Sequence, residues 1–322
     1  QCGTCNTVCG GKLDIAGMIL KLRTKFAQED GLNPVHKFCL DTVADRHLFH
    51  SMLRIASVAQ GMITKGQPMI RHLPMFLSGL TAGRSLPSVA PQPFRDILPT
   101  IKQDVPNPKG KIAIFTGCLL DFVYVDIATD VVKALNMAGY IVEMPLGQAC
   151  CGAPATYMGD VENAKKAAEM NLNAMEAEKY DYIVSACPTC THALRDYVDF
   201  FKDDPEMLKK AEELRSKTFD FCKLVSLLGG LPDTGDGVPM KVTYHDSCTG
   251  LRSLKIKSQP RDLLAKVPGL TLSEMEACEE CCGFGGTFSI KYGDVSAAIG
   301  ERKCNNIRAA GTYAVVGGDL GC

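Results

Sequence analysis

Gly117-Cys118, then Ala149-Cys150-Cys151-Gly152, then Ala186-Cys187-Pro188-Thr189-Cys190, is the stretch on which the reading of this chain turns. Gaps of 31 residues (119–149) and 35 residues (152–186) give the spacing C-x31-CC-x35-C-x2-C. Five thiols exceed the four ligands of a tetrahedral zinc. They suit an iron–sulfur cluster, whose several irons are held by thiolates. A second copy follows as Cys248, then Cys281-Cys282-Gly283, then Cys322, displaced from the first by 130, 131 and 135 residues. The chain carries an internally duplicated cysteine framework.

Working outward, each cysteine group follows a short apolar run. Lys111–Phe115 reads as a strand before Cys118, Tyr140–Met144 as one before Cys150-Cys151, and Asp181–Ser185 as one before Cys187. Helical periodicity separates them at Asp126–Ala138 and Val161–Lys179, and a helix is expected to start near Thr191. The second copy repeats the order: strands at Lys241–Tyr244, Leu270–Met275 and Tyr313–Val316, helices at Pro260–Lys266 and Asp294–Ala310. The fold class is therefore α/β, with two tandem pseudo-repeated units on parallel-type sheets and the cysteines past the carboxyl ends of strands, where open α/β sheets place their sites. Gly152 and Gly283-Phe284-Gly285-Gly286 let the backbone close around a cluster. They are not a nucleotide loop, since no G-x-G-x-x-G opens a helix here.

The chain has 322 residues, 35 basic against 36 acidic, and 46% hydrophobic content. That is enough for roughly two domains. The charge balance gives no nucleic-acid or membrane-surface bias, and no apolar run approaches the roughly 20 residues of a spanning helix. Sixteen cysteines in CC and CxxC pairs favour metal or cluster binding in a reducing compartment over disulfides. Cys2, Cys5 and Cys9 read as the last three members of a C-x2-C-x2-C-x3-C ferredoxin run, whose final cysteine ligates a second cluster. The chain starts at Gln1 and stops at Cys322, where a second C-x2-C is expected to begin, so we read it as a segment of a longer polypeptide. The expected division is 1–40, the end of a ferredoxin-like [4Fe-4S] domain; 41–110, a helical segment and proline-rich connector; 111–230, the first cysteine-rich unit; and 231–322, the second, cut at its last CxxC.

Other residues carry two readings. His47 and His50, spaced i, i+3 on a helix expected over Val43–Ile63, are metal ligands or surface and interhelical side chains. The apolar face of that helix is Leu48, Met52, Ile55 and Val58 or Ala59. Another helix is expected at Leu13–Lys25, and residues 82–110 read as an extended connector. Helices at Asp204–Arg215 and Phe221–Leu228 and a turn-rich link, Pro232–Pro239, bridge the copies. His245-Asp246 beside Cys248 form a proton relay or a hydrogen bond that fixes the cysteine loop. Cys278 is a fallback ligand for the second site, which has only four cysteines and on that count also suits zinc. Cys39, Cys222 and Cys304 read as structural, as do Met62, Met69 and Met75.

With these residues the chain resembles the cysteine-rich CCG family, which includes the cysteine-rich components of heterodisulfide reductase, the iron–sulfur subunits of glycolate and glycerol-3-phosphate oxidases, and the lactate-utilisation proteins. The resemblance implies a [4Fe-4S] cluster, noncubane by likeness to heterodisulfide reductase, on Cys118, Cys150, Cys151, Cys187 and Cys190, and a second site on Cys248, Cys281, Cys282 and Cys322. Cys281–Ile290 with Gly317–Cys322 resembles the end of a lactate-utilisation A protein. Cys2–Arg23, with Arg84, Leu86, Pro87, Ala90, Phe94 and Arg95, resembles the ferredoxin part of a lactate-utilisation B protein. The two look fused. Ser185–Cys190 departs toward the heterodisulfide reductase pattern, and Thr249 stands where His often follows.

The resemblance implies an iron–sulfur electron-transfer subunit of an L-lactate (2-hydroxy acid) dehydrogenase system. Two alternatives remain: a disulfide or thiol reductase, and a zinc-stapled scaffold. No flavin or nicotinamide fingerprint is visible, so hydride removal is expected elsewhere and the catalytic residues are unassigned. Expected partners are flavin- or iron–sulfur-containing oxidoreductase subunits and a quinone-reducing or soluble electron carrier. The expected location is cytoplasmic, peripheral to the membrane through those partners.

Overall fold

The computed structural model describes residues 2–64, 69–70, 85–233, 235 and 237–322. Met75 and Arg84 lie outside the described residues, as do the side chains of Met62, Leu86 and Ile290. The chain opens with α1 (Thr4–Val8), α2 (Ile15–Glu29), α3 (Pro34–Ala44) and α4 (Arg46–Thr64). Asp14 caps α2 by accepting from the Gly17 amide, and Asn33 caps α3 with Pro34 at its first position. A short antiparallel ladder pairs β1 (Met69–Ile70) with β2 (Leu86–Pro87), and α5 (Phe94–Ile97) follows.

The first sheet is parallel. It consists of β3 (Gly110–Ile114), β4 (Tyr140–Glu143), β5 (Tyr182–Ser185) and β6 (Thr218–Asp220), in the order β4-β3-β5-β6. Strand alternation assigns its two faces. Ala113, Phe115 and Ile183 join one core, against Leu172 of α9 (Val161–Met175), Leu194 of α10 (Pro188–Arg195) and Leu214 of α11 (Pro205–Lys217). Ile112, Ile114 and Val184 join the other, against Val131, Val132 and Leu135 of α7 (Val125–Met137) and Leu224 of α12 (Phe221–Leu227). Two short helices sit at the cysteine ends of the strands, α6 (Leu119–Phe122) and α8 (Ala153–Met158).

The second sheet is also parallel, in the order β8-β7-β9, from β7 (Met240–His245), β8 (Leu270–Leu272) and β9 (Ala314–Gly317). Around it run α13 (Ser258–Leu264), α14 (Thr287–Lys291) and α15 (Gly293–Ala309). This unit buries less: Val242 and Tyr244 are enclosed, whereas Tyr313 and Val315 lie at the surface. No described helix is long and apolar enough to cross a membrane.

Several details differ from the sequence reading. The described part of the connector, 85–110, carries the short helix α5 and packs on the first unit. Phe94 is fully buried in the core that α7 and α12 form on the first sheet, and Arg95 donates to Asp121 of α6 through Nε at 2.7 Å as well as through its terminal nitrogen. The expected apolar face of α4 points to solvent: Leu48, Met52, Ile55 and Val58 are exposed, while Ser57 and Gln60 bond the Ala90 and Val89 carbonyls. Cys39 and Met69 are exposed rather than packed. His47 is exposed, and His50 is interhelical, its ring 5.0 Å from that of Phe122. Strand β6 and helix α8 have no separate signal in the sequence, being three and six residues long.

The buried charges can be tested directly. Asp121 is wholly buried and anchors Arg95, so Asp121→Ala leaves the guanidinium unpaired and should cost about 3–5 kcal/mol in urea denaturation. Asp220 caps α12, accepting from the Cys222 amide at 2.9 Å, and burial pushes its carboxyl from the ordinary 3.8 up to about 7. Between those values the unfolded chain loses this proton and the folded one keeps it, so the group removes stability as pH rises across that window. Asp220→Asn keeps the cap acceptor without the charge. Its advantage over the parent should grow from pH 4 to 7 and then level off; a pH-independent difference in melting would contradict this.

Candidate functional site

The five cysteines of the first motif meet. Cys118 follows β3, Cys150 and Cys151 lie on the loop after β4, and Cys187 and Cys190 open α10 after β5. Parallel strands end side by side, so residues far apart in sequence arrive at one edge of the sheet. The thiols neighbour one another in the order Cys118, Cys150, Cys151, Cys190, Cys187. Cys150, Cys151, Cys187 and Cys190 are 3%, 5%, 4% and 8% exposed and belong to the first core; Cys118 is partly open. Cys151, bonded to the thiols of Cys150 and Cys190, is drawn down to about 6. Cys190, which shares its proton with Cys151 and Cys187 and is buried, is pushed well up. The helix of Cys187 and Cys190 begins at Pro188, earlier than expected, with Cys187 at its cap.

The loop that presents Cys150 and Cys151 is fixed by one buried amide. Asn171 of α9 accepts from the Ala149 N–H at 2.8 Å and donates to the Cys150 carbonyl and to Tyr197 Oη, both at 2.9 Å. Tyr197 Oη donates in turn to the Cys151 carbonyl at 3.0 Å. The glycine after each cysteine pair has a steric reason. Gly152 and Gly283 take φ of +78° and +89°, a left-handed conformation that a side chain disfavours. A Cβ on Gly152 would meet Ala167 Cβ at 3.2 Å, and one on Gly283 would meet the Ser296 carbonyl at 2.5 Å.

The second group is shallower. Cys282 Sγ donates to Cys322 Sγ at 3.3 Å, and Cys281 Sγ accepts from the Gly283 amide at 3.3 Å. Cys248 is half-buried, and burial, then the nearby Cys281, raises it to about 11. His245 Nδ1 lies 3.3 Å from the Cys278 carbonyl, which can only accept, so Nδ1 carries the proton. Its Nε2 is buried without a hydrogen-bond partner among the described residues, and a ring nitrogen of His245 lies within 4.8 Å of the Cys282 and Cys322 thiols. Sequence alone offers His245 as a relay or a loop-fixing hydrogen bond. The loop bond is present, and a nitrogen donor facing two thiols comes with it.

Asp246 serves elsewhere. It takes a bidentate ion pair from Arg261 at 2.9 and 2.8 Å, and the Cys278 thiol also bonds to it. Cys278 thus contributes its carbonyl to His245 and turns its thiol away from the Cys282–Cys322 pair. Cys222 is partly buried and Cys304 exposed, neither in either group. At the amino terminus, Cys2 Sγ donates to Thr4 Oγ1 at 3.3 Å with Cys281 nearby, and Cys5 Sγ donates to Asn6 Oδ1 at 3.6 Å. Cys9 Sγ lies beside Gly11. All sixteen cysteines are free thiols.

Both donor sets fit metal chemistry. Five converging thiols outnumber one tetrahedral ion, and an unpartnered imidazole nitrogen beside thiols is a ligand set for zinc or a cluster iron. Residues 112–195 and 242–322 each match the model of the CCG cysteine-rich domain. The chain is 34% identical over 212 residues to lactate utilization protein A of Bacillus subtilis, covering 66% of this chain and 88% of that protein. It is 38% identical over 211 residues to lactate utilization protein A of Shouchella clausii, covering 66% and 87%. For the protein of that name from Exiguobacterium sp. the figures are 36% over 211 residues, 66% and 86%.

The glycine geometry is testable. A left-handed non-glycine residue costs on the order of 1–3 kcal/mol. Gly152→Ala should show about that loss, and Gly283→Ala a clearly larger one, because its Cβ meets backbone oxygen at 2.5 Å. Urea midpoints of the two variants give the comparison; equal losses would mean the helix behind Gly283 yields.

Proposed function

The chain belongs to the CCG cysteine-rich domain family, and from that premise we propose that it is an iron–sulfur electron-transfer subunit of a lactate- or 2-hydroxy-acid-oxidising system. The observation that carries this reading is the set of five thiols gathered at the carboxyl edge of the first sheet, four of them buried. Its sources are the cysteine chemistry and the name of the relatives. We assign Cys118, Cys150, Cys151, Cys187 and Cys190 to a [4Fe-4S] group, noncubane in type, and His245, Cys248, Cys281, Cys282 and Cys322 to a second site for a cluster or zinc.

Such a group, when bound, supplies one-electron transfer. The protein's own part is to hold its donors ready. Asn171 and Tyr197 fix the Cys150-Cys151 loop, and the first core excludes water from four of the thiols. The Gly283 amide donates to the Cys281 sulfur and holds its position. The two units are joined where Thr189 Oγ1 donates to Asp319 Oδ2 at 2.9 Å, which keeps the Cys187–Cys190 and Cys322 loops together. We place the division into units at 111–230 and 231–322, with flavin- or iron–sulfur-containing subunits as the electron donors and a quinone-reducing or soluble carrier downstream.

A second reading, reduction of a small disulfide at the first site, is favoured by the partial exposure of Cys118 at the edge of an otherwise buried set. Iron, acid-labile sulfide and zinc per chain, on anaerobically purified protein, test the main reading. Four iron and four sulfide should be lost in Cys151→Ser relative to the parent. A parent without iron would leave a metal-stapled scaffold. Oxidation of the reduced protein by a disulfide, and not by a quinone-linked carrier, would move the assignment to the second reading.

A further inference from the structure

The two units brace their cysteine pairs from the same helix face with different chemistry. A Cβ on Gly152 would meet the Ala164 carbonyl of α9, as one on Gly283 would meet the Ser296 carbonyl of α15. Seven residues on from each, about two turns along the same face, stand Asn171 in the first unit and Lys303 in the second. Asn171 is the neutral amide that fixes the first loop. Lys303 is 4% exposed, and its Nζ donates to the Ala277 carbonyl at 2.7 Å and to the Cys278 carbonyl at 3.3 Å. Ala277 takes φ of +52°, a left-handed conformation that a side chain disfavours. The lysine therefore holds a strained stretch of the loop that leads to Cys281 and Cys282. A buried ammonium is costly without a negative charge beside it. No carboxylate among the described residues lies within ion-pair distance of Lys303. Burial disfavours its charge; the groups that favour it are Glu280, then Cys278, Cys282 and Asp246. Glu280 is already paired with Arg302, and Asp246 with Arg261. The thiols remain, and they become anionic when they ligate metal.

We infer that Lys303 is the internal counter-cation of the second cysteine site, a positioning residue whose ammonium offsets the charge of the thiolates that hold a metal or cluster there. The inference rests on the reading that the second site holds metal, and it holds for whatever number of cysteines completes that site. Where the bound group contains iron, reduction adds one electron and exchanges no proton or bond, so the group becomes one unit more negative. A fixed positive charge beside it favours that change. The duplicated framework thus carries a neutral amide behind the first cysteine pair and a cation behind the second.

The test uses Cys151→Ser protein reconstituted anaerobically, in which the first site is disabled and retained metal reports on the second; Cys118→Ser replaces it where that variant does not fold. Lys303→Gln removes the charge and keeps an N–H donor for the loop carbonyls; Lys303→Met, of similar length, replaces it where it does not fold. The neutral variant should weaken metal retention against a chelator at least about tenfold, the scale at which outer-sphere partners matter, and Lys303→Arg, which keeps the charge, should not. Where the retained metal is iron, a mediated titration with dithionite as the electron source should find the midpoint of the neutral variant lower by about 59 mV, the one-electron equivalent of a tenfold change. Lys303→Arg should keep the parent midpoint. Equal losses in the neutral variant and in Lys303→Arg, or an iron midpoint that the neutral variant does not move, would mean that the lysine only props the loop and would overturn the inference. Retention indifferent to the neutral variant overturns the inference alone. No metal in the Cys151→Ser background overturns the metal reading of the second site and the inference with it.

Discussion

Neighbouring residues on a regular backbone point different ways, so two adjacent cysteines share one site only where the chain turns sharply after them. That turn is the left-handed glycine that follows each pair, Gly152 and Gly283. Both glycines press against a helix further along the chain, α9 and α15, with room for no side chain or nearly none. The constraint therefore runs from the cysteine pair through the glycine to the helix and, through α9, to the sheet. In the first unit Asn171 completes it, since one amide on that helix meets three groups of the loop and its tyrosine support. Packing and site geometry are the same problem at this point.

Much of this is legible in the sequence. The cysteine spacing and the apolar runs before each group place the thiols at the carboxyl ends of parallel strands, because strand periodicity and the duplicated order are properties of the chain itself. The parts that are not legible have local causes. Strand β6 has three residues, too few for an alternating pattern. His245 reads as a relay or a loop-fixing histidine until a ring nitrogen is seen within reach of Cys282 and Cys322, a proximity made by β7, the loop after β8 and the loop after β9. The apolar stripe of α4 is real, but it is not a core face: Ile55 and Val58 are 68% and 75% exposed, and the helix holds the connector through its polar side. Periodicity shows that a helix has an apolar face, not that this chain covers it.

The two units share a framework and differ in depth. The first sheet has helices packed on both faces and sinks four of its five cysteines into one of the resulting cores. The second has three strands and a surface-exposed β9 edge, and its Cys322 is exposed. Moving charge into a dry, enclosed set of thiols costs more than moving it into one open to water, unless donors aimed at the sulfurs offset it.

The sites are not mechanically independent despite that difference. Asp319 accepts from Thr189, which sits between Cys187 and Cys190, and also from the Gly321 amide beside Cys322. Leu320, next in line, packs into both cores of the first unit. The end of the second unit is thus seated on the first, and the carboxylate that shapes the Cys322 turn is held by the loop that shapes the first thiol set. Displacing either loop strains the other. The duplication yields one joined edge rather than two separate sites.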